Sequence, residues 1–195
     1  MNKVKVAIIG ATGYTGSELL SYLKFHDKVE VVGITSESKK GRPFSEVHPQ
    51  FYGIHDEKLI SIKDVPHLKP ELVFLALPHG VSMDFVKENV DSGFKIVDLS
   101  GDFRLSSAEV YEKWYKKEHV LPSAFDKAVY GLPELYREEI KKAGLIANPG
   151  CFPTTSILGL APLFNEEIIH ENGIYIDAKT GVTGAGVKAK PNTHF

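Results

Sequence analysis

Sulfur is scarce in this sequence: among 195 residues there is a single cysteine, Cys151. An internal disulfide is therefore excluded, and any sulfur chemistry falls on one free thiol. Long hydrophobic runs are also missing. The longest, around residues 72–78, falls far short of the roughly 20 apolar residues of a membrane span, and the opening Met1-Asn2-Lys3-Val4-Lys5-Val6 has no signal-peptide core. Charge of one sign is lacking too. Lys and Arg number 23 against 25 Asp and Glu, a net charge of −2, with no basic stripe to neutralise a phosphate backbone. His48, His55 and His67 fit no metal spacing and read as loop or surface residues. Repeats and low-complexity segments are absent. These absences predict a soluble, cytoplasmic protein in a reducing setting, with neither nucleic acid nor membrane as partner and no metal site. The length allows one good core, or one domain and the beginning of a second.

What is present begins with an apolar strand over residues 4–9 that runs into Gly10-Ala11-Thr12-Gly13-Tyr14-Thr15-Gly16. Leu19, Leu20 and Leu23 at helical spacing follow, then a second strand over residues 29–34. This is a βαβ unit whose glycines have the spacing of a variant dinucleotide fingerprint. Glycine there permits the tight turn and lets the backbone approach a pyrophosphate resting on the helix N-terminus. The end of the second strand discriminates between dinucleotides, an acid suiting NAD and hydroxyls with cations suiting NADP. The run Thr35-Ser36-Glu37-Ser38-Lys39-Lys40 with Arg42 favours NADP, its first two positions offering hydroxyls and cations following, although Glu37 is an acid in an awkward place. The alternative is a solvated charged loop.

Downstream, residues 58–62 look strand-like, and residues 72–77 form a continuous apolar run typical of a strand buried on both faces. That run ends at Pro78-His79-Gly80. A helix over residues 81–91 is expected to bury Val81, Phe85 and Val90, and a strand over residues 94–99 comes next. The alternation predicts an α/β fold, a doubly wound Rossmann-type parallel sheet, whose ligands bind at the carboxyl ends of the strands. Loops after Ile9, Leu77, Leu99 and Ala147 would then open on one crevice. In one of them Ser100, Asp102 and Arg104 combine a hydroxyl, an acid and a guanidinium; Arg104 either clamps an anion or pairs with Asp102. Residues 108–118 carry a helical stripe of Val110, Tyr111, Trp114 and Tyr115 that reads as core.

Another of these loops holds the thiol. A short strand over residues 144–147 leads into Asn148-Pro149-Gly150-Cys151-Phe152-Pro153-Thr154 and then a helix-like run. With Pro153 at the first helical position, Cys151 lies where unpaired N–H groups of the helix point and favour a thiolate. The alternative is an inert, buried thiol. Pro162 is expected to end or kink the helix. Residues 173–179 alternate like a half-buried strand and lead into Gly181-Val182-Thr183-Gly184-Ala185-Gly186, a loop able to pass close to a ligand. The domains are thus expected to be residues 1–147, binding the dinucleotide, and 148–195, an active-site segment with the start of an α+β substrate domain, too little chain remaining to complete its sheet.

Taken together, the strings resemble the N-acetyl-gamma-glutamyl-phosphate reductase family of the aspartate-semialdehyde dehydrogenase-like group, as its N-terminal portion. The nucleotide loop, Asp102-Phe103-Arg104-Leu105, Tyr130-Gly131-Leu132-Pro133-Glu134-Leu135, the string around Cys151 and the loop from Gly181 to Gly186 occur in the family's order. The resemblance implies NADPH-dependent reduction of an acyl phosphate in arginine biosynthesis, through a thioester on Cys151, by a homo-oligomer. It implies cofactor contacts at Gly10, Thr12, Gly13, Tyr14, Thr15, Gly16, Ser36, Ser38, Lys39, Pro78 and Gly181. Substrate contacts are implied at Ser100, Arg104, Asn148 and Gly184. Family members place an arginine where this sequence has Glu37. No histidine here matches the family's general acid/base motif, His194 lying in a different string. Two alternatives accompany the reading: a truncated, inactive dinucleotide-binding module, and a lysine-pathway homologue with a substrate one methylene longer.

Overall fold

A computed structural model describes residues 2–187; His194 and the end of the second expected domain lie outside them. Six strands form one parallel sheet: β1 (Val4–Ile9), β2 (Val29–Ile34), β3 (Leu72–Leu75), β4 (Lys95–Asp98), β5 (Ala128–Tyr130) and β6 (Leu145–Ala147), in the order β2-β1-β3-β4-β6-β5. The chain leaves β1 for β2 on one side and returns to β3 on the other. A crevice must open between them at the carboxyl end of β1. Helices α1 (Tyr14–Lys24), α2 (Phe44–Val47), α3 (Ser82–Asn89), α4 (Ala108–Tyr115), α5 (Pro133–Lys142) and α6 (Cys151–Asn165) fill the connections.

The side-chain period of β1 creates two cores. Ala7 and Ile9 pack on one face with Val73, Leu75, Ile96, Met83, Phe85, Val86 and Tyr111. Ile8 faces the other way, onto Leu20, Ile34, Phe44 and Phe51. Each fully buried aliphatic side chain contributes about 1.5–3 kcal/mol, so the central strands anchor the loops that follow them.

One buried acid organises those loops. Asp102, fully buried, accepts from Gly80 N–H at 2.7 Å, Met83 N–H at 3.2 Å and the Tyr111 hydroxyl at 3.0 Å. The loop after β4 is thereby fastened to the start of α3. Burial, then the Asp102 charge, raises the Tyr111 pKa well above its usual value. Ser100 binds the carboxylate of Asp98 with its hydroxyl at 2.7 Å and receives the Asp102 N–H at 3.1 Å. Burial raises the Asp98 pKa against the opposing effect of these Ser100 bonds. Behind them His119 is buried among Phe103, Tyr111 and Phe125. The Leu121 N–H donates to its Nδ1 at 3.2 Å, so Nε2 carries the proton and donates to the Asp102 carbonyl at 2.9 Å.

Several expected elements differ. Helix α6 begins at Cys151, with Gly150 as N-cap and Pro153 one turn in. It also continues through Pro162 to Asn165, because the ring removes only the bond to the Leu158 carbonyl while Glu166 N–H still reaches the Pro162 carbonyl at 3.1 Å. Residues 173–179 form no strand; among the described residues no sheet edge receives them, and Tyr175 is 95% exposed. Val81 is exposed, since α3 starts after it and buries Met83, Phe85 and Val86 instead. Trp114 is exposed while Tyr111 is buried, so only one side of α4 faces the core. Residues 58–62 contribute isolated bridges alone. His55 is buried under Phe51 rather than at the surface.

Two outcomes follow. Asp102→Ala leaves three buried donors unpaired and should cost about 3 kcal/mol or more in urea unfolding. Burial lowers the His119 pKa, so the folded state holds this proton less tightly than the unfolded one. Stability from this group is complete above the unfolded value of about 6.5 and is lost as pH falls. Wild type should lose more unfolding free energy between pH 7.5 and pH 5.5 than His119→Gln, and equal slopes would contradict the assignment.

Candidate active site

The glycine loop is set by two close approaches. Gly10 has φ +83°, and a Cβ there would lie 2.3 Å from the Ala76 carbonyl oxygen; a Cβ on Gly16 would lie 2.5 Å from the Gly10 oxygen. Gly13, the N-cap of α1, is different, since its Cβ would meet nothing nearer than 3.7 Å. It leaves open space in front of first-turn N–H groups that have no intrahelical acceptor. No acid occupies that turn. A pyrophosphate fits there on both shape and charge. The loop rests on β2: the Gly10 N–H donates to Thr35 Oγ1 at 3.2 Å, and Thr12 Oγ1 lies 3.0 Å from Ser36 Oγ. His48 Nε2 meets the Thr12 carbonyl at 3.1 Å. Tyr14 and Thr15 are exposed at the mouth.

Glu37 is turned away from the crevice. Its Oε1 accepts from Ser61 Oγ at 3.0 Å and Ile62 N–H at 2.7 Å, capping the helical turn at residues 62–68. Arg42 pairs with Glu46 at 3.1 Å and Lys40 with Asp64 at 3.6 Å. Ser38 and Lys39 remain exposed beside Ser36. The ribose end of the crevice therefore presents hydroxyls and one uncommitted ammonium among the described residues.

At the other end, Arg104 neither pairs with Asp102 nor presents its whole fork to solvent. Its Nε donates to the Asn148 carbonyl at 2.5 Å and Nη2 to the Leu99 carbonyl at 2.6 Å. Nη1 lies against Gly150, where a Cβ would be 3.2 Å away. Arg104 thus binds the loop after β4 to the loop before α6, leaving one nitrogen directed at the residue preceding Cys151. Gly131 closes the other side, a Cβ there meeting Asn148 Cα at 3.0 Å. Asn148 donates its own amide to the Pro149 carbonyl.

Cys151 is exposed, which removes the inert, buried reading. It occupies the first position of α6, at the head of a cavity of about 430 Å³ lined by Phe152, Thr155, Leu160, Ile174, Ile176 and Thr180 among others. Ser100 is buried and its hydroxyl is spent on Asp98 and Asp102, so it shapes the loop instead of facing substrate. Pro78 is exposed at the end of β3. Gly181 and Gly184 lie in the exposed turn after the cavity wall. The sheet places the open helix start after β1, the guanidinium nitrogen after β4 and the accessible thiol after β6 at the carboxyl ends of its strands, with β4 and β6 adjacent. His79, beside Pro78, is exposed in the same loop, a polar residue shortly after a buried strand. No group of three or more metal-ligating side chains occurs among the described residues, and none of their helices is long and apolar enough to cross a membrane.

Comparison with known proteins agrees with this geometry. Residues 5–143 match the family described as semialdehyde dehydrogenase, NAD binding domain, and residues 151–195 match the semialdehyde dehydrogenase dimerisation domain. The chain is 53% identical over 193 residues to N-acetyl-gamma-glutamyl-phosphate reductase of Methanocaldococcus jannaschii, covering 98% of this chain and 56% of that protein. It is 48% identical over 194 residues to the enzyme of that name from Halothermothrix orenii, with the same coverage. The chain therefore spans little more than half the length of these curated relatives. Among solved structures, aspartate semialdehyde dehydrogenase II of Vibrio cholerae superimposes with a TM-score of 0.66 at 18% identity, over 95% of this chain and 49% of that one. Aspartate semialdehyde dehydrogenase of Candida albicans, crystallised with NADP, gives 0.61 at 16% identity, over 85% and 48%. These two likenesses concern the fold. The NAD-binding match extends over most of the chain and includes the glycine loop, the Asp102 loop and strands β2 to β5, and this protein accordingly belongs to the semialdehyde dehydrogenase family through its NAD-binding domain.

Proposed function

We propose that this chain carries the nucleotide site and the nucleophile of an N-acetyl-gamma-glutamyl-phosphate reductase, which converts N-acetyl-glutamyl 5-phosphate to the 5-semialdehyde and phosphate at the expense of NADPH. The observation that carries the proposal is the placement of Cys151, exposed at the start of α6 and braced by Arg104 beside a crevice with a phosphate cradle. Cys151 as thiolate attacks the acyl carbon; the carbon–oxygen bond to phosphate breaks, phosphate leaves with its electron pair, and a thioester remains. Unpaired N–H groups at the start of α6 stabilise the oxyanion in this step and in the later release of the thiolate. The dinucleotide, when bound, supplies the hydride that reduces the thioester carbon. The free Nη1 of Arg104 is suited to a carboxylate or phosphate oxygen of the substrate. Ser36, Ser38 and Lys39 are the candidates for the 2′-phosphate, a role to which the withdrawal of Glu37 contributes by removing a carboxylate from their vicinity. Two copies of the chain are expected to associate through the segment that matches the dimerisation domain, and a cytoplasmic location belongs to the same proposal.

Cys151→Ser should lower phosphate-dependent reduction of NADP by N-acetyl-glutamate semialdehyde about 10³-fold or more, while leaving dinucleotide affinity unchanged by fluorescence titration. Retained turnover would remove the thiol from the mechanism. For the cofactor, Ser38→Ala combined with Lys39→Ala should weaken NADPH binding about ten-fold and leave NADH binding as it was, given the worth of a charge-assisted bond; an equal effect on both would place the 2′-phosphate elsewhere.

A further inference from the structure

The loop after β3 holds a histidine in one defined protonation pattern. The Gly101 N–H donates to His79 Nδ1 at 2.7 Å. An imidazole nitrogen that accepts from an amide carries no proton, so in the neutral ring the proton is on Nε2. The ring is held on its other side by Tyr115, with centroids 5.1 Å apart. Gly101 itself has no room for a side chain, since a Cβ would lie 2.3 Å from the Tyr115 hydroxyl oxygen and 2.9 Å from His79 Nδ1. His79 is therefore oriented by its neighbours, yet the residue is exposed and Nε2 has no hydrogen-bond partner among the described residues. A ring needed only to brace Gly101 would not have to leave its second nitrogen without a partner on an exposed residue.

Its position says what that nitrogen meets. Ala76 and Leu77 abut Gly10, so the loop after β3 that carries His79 starts beside the glycine loop. On the far side of β1, at the end of β2, stand Ser36, Ser38 and Lys39. A dinucleotide with its adenosine half over β2 and its pyrophosphate at Gly13 must extend its other half past β3. The neighbouring ammonium, Lys117, is already engaged by the Gly80 carbonyl at 2.6 Å, and the Asp102 carboxylate by Gly80, Met83 and Tyr111.

We infer that His79 is a cofactor-contacting residue, donating from Nε2–H to the nicotinamide half of the bound dinucleotide. The inference rests on the proposed dinucleotide site and adds to it a residue with a fixed tautomer. His79→Asn separates this role from a structural one, because the shorter amide can still accept from Gly101 N–H but does not reach as far as Nε2. NADPH affinity should fall about ten-fold, whereas affinity for adenosine 2′,5′-bisphosphate, which lacks the nicotinamide half, and stability to urea should stay unchanged. His79→Gln, long enough to place a donor near the Nε2 position, should recover most of the NADPH affinity even where the Asn variant folds poorly. Unchanged NADPH binding in His79→Asn, equal weakening of both probes, or failure of His79→Gln to recover affinity overturns the inference. A wild-type chain that binds neither probe overturns the dinucleotide reading itself, whereas binding of both by wild type with no response to His79→Asn overturns only the role of His79.

Discussion

The buried carboxylate of Asp102 is the constraint on which the site depends. It accepts from the backbone at Gly80 and Met83 and from the Tyr111 hydroxyl, so one side chain fixes the loop after β3, the loop after β4 and the position of α4. A buried acid is costly without such donors. Here two backbone amides and a hydroxyl replace the water it loses, and those donors in turn have no other acceptor of comparable strength. Removing either side of the arrangement leaves the other unsatisfied, so the loops cannot drift independently. Arg104 extends the same principle one strand further, its donors fixing the end of β4 to the residues before Cys151.

A similar economy operates at β2. An acid at the end of this strand is expected to select NAD by holding a ribose hydroxyl, and Glu37 occupies that stretch. Its carboxylate is instead consumed in capping the turn at residues 62–68, where it satisfies Ser61 and Ile62. The carboxylate that would repel a 2′-phosphate is thus committed to donors at Ser61 and Ile62. Glu37 taken alone argues for NAD, against the hydroxyls and cations around it; its hydrogen-bond partners, 24 and 25 positions along the chain, give its carboxylate another use.

Much of the frame was legible in the sequence because its signals are local. The strands β1, β3 and β6 are apolar on both faces, the glycine loop has its strand before and helix after, and Cys151 stands at a strand-to-helix turn. What was not legible depends on distant partners. Strand β5 is three half-buried residues that become a strand only by pairing with β6. His119 is buried by Phe103, Tyr111 and Phe125, drawn from separate segments, and nothing in its neighbourhood in sequence announces it. Residues 173–179 have strand periodicity but, among the described residues, no edge to complete the pattern. The sequence suits Arg104 equally to an anion or to Asp102; in the structure its Nε and Nη2 go to two backbone carbonyls, those of the distant Asn148 and of Leu99, not to Asp102.

These hydrogen bonds also determine which groups remain for chemistry. Along the ends of β2, β1, β3, β4 and β6 most polar groups are committed to the protein itself: Thr35 to Gly10, Ser100 to Asp98, Asp102 to three donors, Lys117 to Gly80. The uncommitted ones are, in the order of the strand ends that carry them, Ser38 and Lys39, the first-turn N–H groups of α1, His79, Nη1 of Arg104 and the thiol of Cys151. Each sits on a backbone held by a neighbour's bond, so none must pay a large ordering cost when a ligand arrives. The committed groups supply rigidity, and on the proposed function the order of the uncommitted ones is what would orient a dinucleotide, adenosine toward β2 and its reactive end toward the strand that leads to Cys151.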